Sequence, residues 1–288
     1  MQVTTVVIVH WNQPERCAAT LDAFRASTVP VDFVIADSAS DVEALDALRS
    51  LAEAPDVMLV EAAANRGFGP TANLGLDHWL RHGSGAWVAL APHDALPDPS
   101  TIEQLLAAAG SRSRAGLVCA DVGDGASPVI DRYFGGITRP ATTTEGWESV
   151  DHPHGTLLIL ARSLLTEIGL FDERYSSYCE EADLALRATA AGYEIGLVRG
   201  AMVRNPHIGG QVAVVDYLQV RNTLLLVREH FGWYPATIRL LMVLGQTVRG
   251  LLHPDRRPPV FDARSRVQAV RDHLTRSYGP APASVSGR

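Results

Sequence analysis

The stretch CEEADLALR, from Cys179 to Arg187, places three carboxylates and one guanidinium on the first turns of a predicted helix. With about 3.6 residues per turn, Glu180, Asp183 and Arg187 share one face of that helix, and Glu181 points roughly 100° away. Acidic side chains favour the positive end of a helix dipole, and Asp183 is spaced to pair with Arg187. On its own, the stretch therefore predicts an ordinary charged helix start.

The residues before this helix favour a functional site. Residues 155–161, GTLLILA, have the composition of a buried strand, and residues 169–173, GLFDE, form a predicted turn with two further acids. A strand, a short helix, an acidic turn and an acidic helix start together predict the edge of a cleft. Carboxylates packed in a cleft are candidates for acid/base catalysis.

The segment 155–198 resembles the C-terminal half of bacterial family 2 glycosyltransferases, in their rhamnosyltransferase-like branch. In that family a G-F-D-E-x-[FY] segment precedes an acidic pair, a third acid, L-x-x-R and a final G-[YF]. The matching residues are Gly169, Phe171, Asp172, Glu173, Tyr175, Glu180, Glu181, Asp183, Leu184, Arg187, Gly192 and Tyr193. The resemblance implies the GT-A fold, a Rossmann-like α/β domain whose mostly parallel sheet is flanked by helices.

The resemblance also implies catalytic roles. The family's general base is the second acid of the pair, which is Glu181 here, where Asp is more usual. Glu180 and Asp183 would orient the start of the helix, with Asp183 close to Arg187. The candidate catalytic residues are therefore Glu181, Glu180 and Asp183.

Upstream of this segment, β-branched apolar runs alternate with helical patterns. We predict strands at 4–9, 31–36, 57–60, 87–91 and 116–120, and helices at 16–27, 42–51, 70–80 and 100–109. This alternation predicts a mostly parallel sheet covered on both faces. Residues 122–150 contain few apolar side chains, and we expect a partly mobile excursion that lines the acceptor side.

Polar loops follow the first four predicted strands: HWN at 10–12, DSASD at 37–41, NRGFG at 65–69 and PHD at 92–94. Each one alone is typical of a surface turn. Because ligands bind at the carboxyl ends of parallel strands, their recurrence predicts a binding crevice. No G-x-G-x-x-G follows the first strand and no P-loop is present, which disfavours a dinucleotide site.

These loops extend the resemblance to residues 3–230 and imply the donor contacts. In the family, the residues after the first strand hold the nucleoside, and the Asp after the second strand accepts from the base N3–H. Arg221 is placed to face the diphosphate, although a helix salt bridge explains it equally well. The implied donor-binding residues are His10, Trp11, Asn12, Asp37, Asn65, Gly67, Asn73, His93, Asp94 and Arg221.

The resemblance implies a divalent cation, Mn²⁺ or Mg²⁺, held by Asp94 and His207. The family's metal motif is D-x-D, and here Pro92 stands in its first position, where it offers no side-chain oxygen. Asp94 remains as a carboxylate ligand, and His93 beside it would suit Mn²⁺ better than Mg²⁺. His207 matches a C-terminal histidine that closes the metal site in many GT-A enzymes, with a plain loop residue as the alternative.

Composition indicates a globular protein, with 47% hydrophobic and 20% charged residues in 288. The cysteines, Cys17, Cys119 and Cys179, are odd in number and show no metal-ligand spacing, which indicates a reducing cytoplasm. The N-terminal apolar run is short and lacks a basic region, so we expect a first strand and not a signal peptide. Every basic residue is an arginine, and the body is acidic, which argues against nucleic-acid binding.

The C-terminal region is basic and partly apolar. From residue 239 onward nine arginines face three aspartates, and residues 236–252 form a strongly apolar predicted helix after another at 217–231. Residues 236–257 therefore predict peripheral contact with an anionic membrane, the inner face of the cell membrane. A helix packed on the domain or a homodimer interface is the alternative.

We predict a GT-A domain at 1–232, with a nucleotide-binding half at 1–121 and an acceptor half at 122–232. A helical extension at 233–278 and a disordered tail at 279–288 follow. The predicted function is transfer of a sugar, by resemblance rhamnose, from a dTDP or UDP donor to a glycan or lipid-linked acceptor. Two alternatives stay open: a nucleotidyltransferase, and a nucleotide-sugar-binding protein without activity.

Overall fold

A computed structural model describes residues 3–206 and 210–287. Strands and helices alternate in the first half as predicted: β1 (Thr4–His10), α1 (Pro14–Arg25), β2 (Val31–Asp37), α2 (Val42–Leu51), β3 (Val57–Glu61), α3 (Phe68–His82), β4 (Trp87–Pro92), β5 (Leu96–Pro97), α4 (Thr101–Gly110) and β6 (Ala115–Asp121). The second half contains β7 (Ala126–Asp131), β8 (Gly135–Pro140), β9 (Gly146–Ser149), β10 (Leu158–Ala161), α5 (Arg162–Ile168), α6 (Glu180–Ala190), β11 (Glu194–Arg204), α7 (Val212–Phe231), α8 (Trp233–Leu252), α9 (Ala263–Leu274) and α10 (Ala283–Ser286).

The main sheet has the strand order β3-β2-β1-β4-β10-β6-β11-β5, and β9 pairs with β11. Strands β1 to β4 pair in parallel, as do β6 and β11, whereas β10 lies antiparallel between β4 and β6. The fold is therefore the predicted α/β arrangement with a largely parallel sheet.

Helices cover both faces of the sheet, so its central strands are apolar throughout. Val6 and Ile8 of β1 pack into a core with α1, α2 and α4, while Val7 and Val9 pack into the opposite core with α3, α5 and α6. Local signals set the helix starts. For example, the Asp41 carboxylate caps α2 by accepting from the Ala44 N–H at 3.0 Å.

The strand register brings the predicted polar loops to one edge. His10 of β1 lies beside Asp37 of β2, Asp37 lies beside Glu61 of β3, and Val9 lies beside Pro92 of β4. The side chains that follow these strands therefore start from one level of the sheet, where a crevice forms.

Residues 122–150 carry more regular structure than the sequence indicates. β7 and β8 form a hairpin, and β9 joins the main sheet. The segment is held by a buried ion pair in which Arg199 Nε donates to Glu148 Oε2 at 2.6 Å, and Arg199 also reaches Asp121 at 3.2 Å. Burial would raise the pKa of Glu148, but hydrogen bonds from Ser127, Thr142 and Arg199 outweigh it and lower the value to about 2.

The C-terminal tail is packed, in contrast to the predicted disorder at 279–288. Val285 of α10 is fully buried in a cluster with α7 and α9. The Arg221 guanidinium donates to the Gly279 carbonyl at 2.6 Å, and the Gly279 N–H donates to the Arg174 carbonyl at 2.9 Å. The tail is rich in proline, alanine and serine, which predicts disorder. It is nevertheless held in place by the buried Val285 side chain and by the two hydrogen bonds of the Gly279 backbone.

Candidate active site

A crevice of about 610 Å³ opens at the carboxyl edge of β1, β2 and β4. We call it the strand-end crevice, and its lining residues are Val9, His10, Trp11, Ser38, Asn65, Gly67, Phe68, Pro92, His93, Ser176, Ser177, Gly210, Gln211, Val214, Leu218, Pro280, Ala281 and Ser286. It brings together five of the predicted donor-binding residues: His10, Trp11, Asn65, Gly67 and His93. The C-terminal tail forms part of its wall, which the sequence did not indicate.

His10 and Asp37 form a buried pair on the floor of the crevice. His10 Nδ1 lies 2.9 Å from Asp37 Oδ1, and His10 Nε2 accepts from the Gln13 N–H at 3.1 Å. Because Nε2 accepts, the Nδ1 atom carries the proton. Burial would raise the pKa of Asp37, but the hydrogen bonds from His10 and Ser40 lower it on balance. Asp37 is thus an ionised anchor beneath the crevice, and its contact with a base N3–H stays a prediction.

The other predicted loop residues organise the rim. Asn12 Oδ1 accepts from the Asp41 N–H at 2.8 Å and ties the β1 loop to the β2 loop. Asn65 Oδ1 accepts from Ser38 Oγ at 3.1 Å and from the Gly67 N–H at 3.0 Å. Gly67 has φ +97°, and a Cβ there would overlap Ser176, so this position requires glycine.

A strained loop before α6 separates the crevice from a second cavity. Ser176, Tyr178 and Cys179 all have positive φ, between 66° and 73°. The buried Asn222 amide nitrogen lies 2.6 Å from the Tyr175 carbonyl, 2.8 Å from that of Ser177 and 2.9 Å from that of Tyr178. Asn222 is not among the site residues predicted from the sequence, although it directly follows the predicted donor-binding residue Arg221.

The second cavity has a volume of about 470 Å³ and contains Glu181. We call it the Glu181 cavity; its lining residues are Pro128, Phe134, Gly136, Ile137, Thr138, His152, Pro153, His154, Gly155, Tyr178, Cys179, Glu181, Ala182, Asp216, Gln219, Val220, Thr223, Arg239, Gln246 and Arg266. The segment 122–150 contributes five of them. Ser177 lines the crevice and Tyr178 lines the cavity, so the strained loop lies between the two spaces.

The acidic pair at the start of α6 splits between two environments. Glu180 is 3% exposed, packs against Gly69 of α3, and leaves Oε2 without a hydrogen-bond partner among the described residues. Glu181 is half-buried in the cavity, so close to Gly155 that a Cβ at that position would overlap its carboxylate. Burial raises the pKa of Glu181, and burial together with the Glu181 charge raises that of Glu180 well above its usual value.

Asp183 has the contacts expected of a residue that orients the start of α6. Its carboxylate is buried and accepts from Arg187 Nε at 2.8 Å, as predicted, and it also lies 2.8 Å from His230 Nε2. Arg187 in turn donates to the Ile168 and Leu170 carbonyls. Asp183 therefore fixes α6 against the acidic turn and against α7, and it lines neither the crevice nor the cavity.

Two predicted donor-binding residues face inward instead of toward the crevice. Asn73 is 9% exposed and exchanges two hydrogen bonds with the Phe171 backbone, at 2.9 and 3.0 Å. Arg221 is 1% exposed, and its donors are used by Asn222, Tyr217 and the Gly279 carbonyl. Because the Arg221 guanidinium donates its hydrogen bonds to these neighbours, it anchors α7 to the tail and does not face a diphosphate.

The predicted metal site has few protein ligands. Asp94 Oδ1 accepts from Asn205 Nδ2 at 3.2 Å, and His93 lies next to it with its ring against His10. Burial and the neighbouring His10 lower the pKa of His93, which keeps its imidazole neutral and able to ligate. His207 lies outside the described residues. Within residues 3–206 and 210–287, no group of three or more His, Cys, Asp or Glu side chains could hold a metal ion.

Comparison with known proteins assigns the chain to an enzyme class. Residues 2–236 match the family described as glycosyltransferase-like family 2. The chain is 28% identical over 259 residues to the N-acetylglucosaminyl-diphospho-decaprenol L-rhamnosyltransferase of Mycobacterium tuberculosis, covering 78% of this chain and 83% of that one. The chain therefore belongs to glycosyltransferase family 2 and is a glycosyltransferase.

Solved structures support the fold. A mannosyltransferase from Pyrobaculum calidifontis, in complex with GDP-Man and Mn²⁺, superposes with a TM-score of 0.61 at 16% identity, over 96% of this chain and 88% of that chain. S. aureus TarS 1-349, in complex with UDP-GlcNAc, has a TM-score of 0.57 at 12% identity, over 95% and 81% of the two chains. At these identities the likeness concerns the GT-A architecture.

Proposed function

We propose that this protein transfers L-rhamnose, with inversion, from a dTDP or UDP donor to a hydroxyl of a lipid-linked sugar. The observation that carries the proposal is the position of Glu181. It lies in a cavity of its own, next to the strand-end crevice: Ser177 lines the crevice and Tyr178 lines the cavity. A donor in the crevice and an acceptor in the cavity would thus lie close together, and the acceptor hydroxyl would reach the anomeric carbon past the edge of this loop.

Different residues of this chain would bind the donor and accept the proton. The rim formed by Trp11, Asn65 and His93 would bind the nucleoside diphosphate in the crevice. Glu181 would accept the proton of the acceptor hydroxyl as that oxygen attacks the anomeric carbon, and its raised pKa suits a base that works near neutral pH. The buried Glu180 would stay protonated, which leaves Glu181 as the ionised member of the pair.

A divalent cation fits this site only in part. Asp94 would supply one carboxylate and His93 one imidazole, and the diphosphate of the donor would complete the ligand set. Such an ion stabilises the negative charge that develops on the leaving diphosphate. We expect Asp94→Ala to abolish the gain in UDP or dTDP affinity on adding Mn²⁺ while leaving the melting temperature unchanged. Nucleotide binding to the unaltered protein that is the same in Mn²⁺ and in EDTA would exclude this role.

A lipid-linked acceptor is suggested by the relative from M. tuberculosis, whose name specifies a diphospho-decaprenol acceptor. The outer face of α8 is consistent with it. Leu241, Leu244, Val248, Leu251 and Leu252 are exposed on that face.

Charged and aromatic residues flank this apolar face. Trp233 and Tyr234 are exposed at one end of α8, and Arg249 and Arg256 are exposed at the other. We propose that this face lies in an anionic bilayer surface. No helix among residues 3–206 and 210–287 is long and apolar enough to cross a membrane.

The proposal is tested by a transfer assay. The purified protein is incubated with Mn²⁺, dTDP- or UDP-L-rhamnose, and N-acetylglucosaminyl diphosphate on a short prenyl chain. We expect a disaccharide product with inverted anomeric configuration and no product with a GDP-sugar. Donor binding without transfer to any acceptor would favour the inactive binding protein. Release of diphosphate from a nucleoside triphosphate and a sugar phosphate would favour the nucleotidyltransferase.

A further inference from the structure

The Glu181 cavity contains a half-buried cation that forms no ion pair with any carboxylate among the described residues. Arg239 points into it from α8, and its Nε atom is buried without a hydrogen-bond partner among the described residues. Burial lowers the pKa of this guanidinium, which reflects the cost of keeping it charged there. The centroid of the Phe134 ring lies 5.9 Å from its Cζ.

The other charged side chains of the cavity lining, Arg266 and Asp216, form an ion pair with one another. Arg266 Nε donates to Asp216 Oδ2 at 2.7 Å, and both side chains are buried. This pair is neutral overall, so Arg239 and Glu181 remain as the charged groups of the lining without an ion-pair partner in the described part of the chain. A partly desolvated charge without an ion-pair partner is costly unless a ligand supplies the opposite charge.

Uncharged acceptor groups lie in the same cavity. His152 Nδ1 lies 3.1 Å from the Pro153 carbonyl, so Nδ1 carries the proton and Nε2 is an acceptor. Burial lowers the pKa of His152 to about 4, and Nε2 has no partner in the described structure. A neutral imidazole with a free acceptor atom suits a hydroxyl group. His154, in the same lining, also has a buried Nε2 without a partner among the described residues. The cavity thus offers two imidazole acceptors for hydroxyl groups, one carboxylate base and one cation without an ion-pair partner.

We propose that Arg239 binds a phosphate group of the acceptor, while the acceptor's sugar ring lies between His152 and Glu181. The inference rests on the proposed function and specifies its substrate: a sugar joined to its lipid through phosphate, not a neutral glycoside. The position of Arg239 on α8 supports it. Val248 lies nine residues further on, about 180° around the helix, so the apolar face is opposite the guanidinium. The phosphate would be held inside while the prenyl chain follows α8 to the bilayer.

The test compares two acceptors that differ only in the phosphate. One is a sugar diphosphate on a short prenyl chain, and the other is the matching alkyl glycoside. Both are assayed in detergent without phospholipid, so that a lipid headgroup cannot replace the acceptor's phosphate. We expect Arg239→Gln to lose about 10- to 100-fold more kcat/KM with the diphosphate than with the glycoside. Arg239→Lys should recover part of that difference because it restores the charge.

Two controls separate this role from a structural one. Arg271→Gln, which changes an exposed arginine of α9, should leave kcat/KM unchanged with both acceptors. A short prenyl diphosphate without sugar should compete with the acceptor in the unaltered protein and lose that effect in Arg239→Gln. An equal loss with both acceptors, or unchanged competition, would overturn the inference. Absence of any transfer by the unaltered protein would instead refute the proposed function.

Discussion

Glu180 and Glu181 are adjacent in sequence yet occupy different surroundings. Glu180 turns toward α3, where Gly69 leaves room for its methylenes and no donor from the described part of the chain reaches Oε2. Glu181 turns into the cavity, where an acceptor has access to it. Because two close carboxylates do not ionise together at low cost, the more buried one keeps its proton. The difference in burial therefore supports our proposal that Glu181 is the base.

The raised pKa of Glu180 predicts how stability depends on pH. The usual value is 4.5 and the folded value is higher, so the folded state holds a proton that the unfolded state releases. The stability that comes from this proton is present below pH 4.5 and is lost as the pH rises through the folded value. Glu180→Gln mimics the protonated form, and we expect it to melt at least about 2 °C higher than the unaltered protein at pH 8.

The same comparison at pH 4 provides the check. There the unaltered protein keeps the proton in both states, so the difference in melting temperature between the two proteins should nearly vanish. A melting temperature for Glu180→Gln that lies below that of the unaltered protein at pH 8 would show that Glu180 is ionised in the folded state.

Among the elements, α7 determines the shape of the site although it contacts the acidic pair only indirectly. Its Asn222 holds three carbonyls of the strained loop, and its Arg221 holds the tail that forms a wall of the crevice. A loop with three positive-φ residues persists only when its surroundings fix it. The direction of Glu181 therefore depends on a residue more than forty positions away in the sequence.

We expect Asn222→Ala to destabilise the protein by at least about 2 kcal/mol, because buried carbonyls lose their donor. Transfer should fall further than the loss of folded protein explains, since the loop before Glu181 relaxes. Urea unfolding measures the loss of stability, and kcat per folded molecule measures the loss of transfer rate. Gln104→Ala, which removes an amide on α4 far from the loop, is the control. An Asn222→Ala protein of normal stability and normal kcat would show that Asn222 does not fix the conformation of the strained loop.

On the scale of the whole molecule, the cavity lies between the strand-end crevice and α8, whose outer face is apolar. The nucleotide would enter at the strand ends, the sugar would be transferred at the loop before α6, and the lipid would leave along α8. We expect the protein to sediment with vesicles rich in phosphatidylglycerol, and to do so less at high salt, because exposed arginines flank the apolar face.

The double variant Leu244→Asp with Leu251→Asp tests that face. It should weaken vesicle binding at least about tenfold, since two exposed leucines would no longer enter the bilayer. Val42→Asp, in an exposed apolar residue of α2, should bind vesicles normally. Unchanged vesicle binding by the double variant, together with a shift from dimer to monomer, would mean that a second copy of the chain covers the face.

Much of this arrangement is encoded locally, and the rest depends on distant contacts. The alternation from β1 to β6 was predictable because β-branched runs and helical spacing are short-range signals. β7 to β9 were not, because their apolar content is low and the buried Arg199–Glu148 pair that holds them joins residues 51 positions apart. Arg221 matched a family pattern, yet its partner Gly279 lies 58 positions away, so only the structure showed that it faces inward.

The most direct test of the account is the pair of isosteric variants Glu181→Gln and Glu180→Gln, assayed with saturating donor and acceptor. We predict that Glu181→Gln binds the nucleotide sugar normally but transfers at least about a hundredfold more slowly, because it cannot accept the acceptor's proton. Glu180→Gln should transfer at a rate within about tenfold of the unaltered protein, because Glu180 already holds a proton. A near-normal rate in Glu181→Gln, with Glu180→Gln inactive, would contradict the account and place the base one residue earlier.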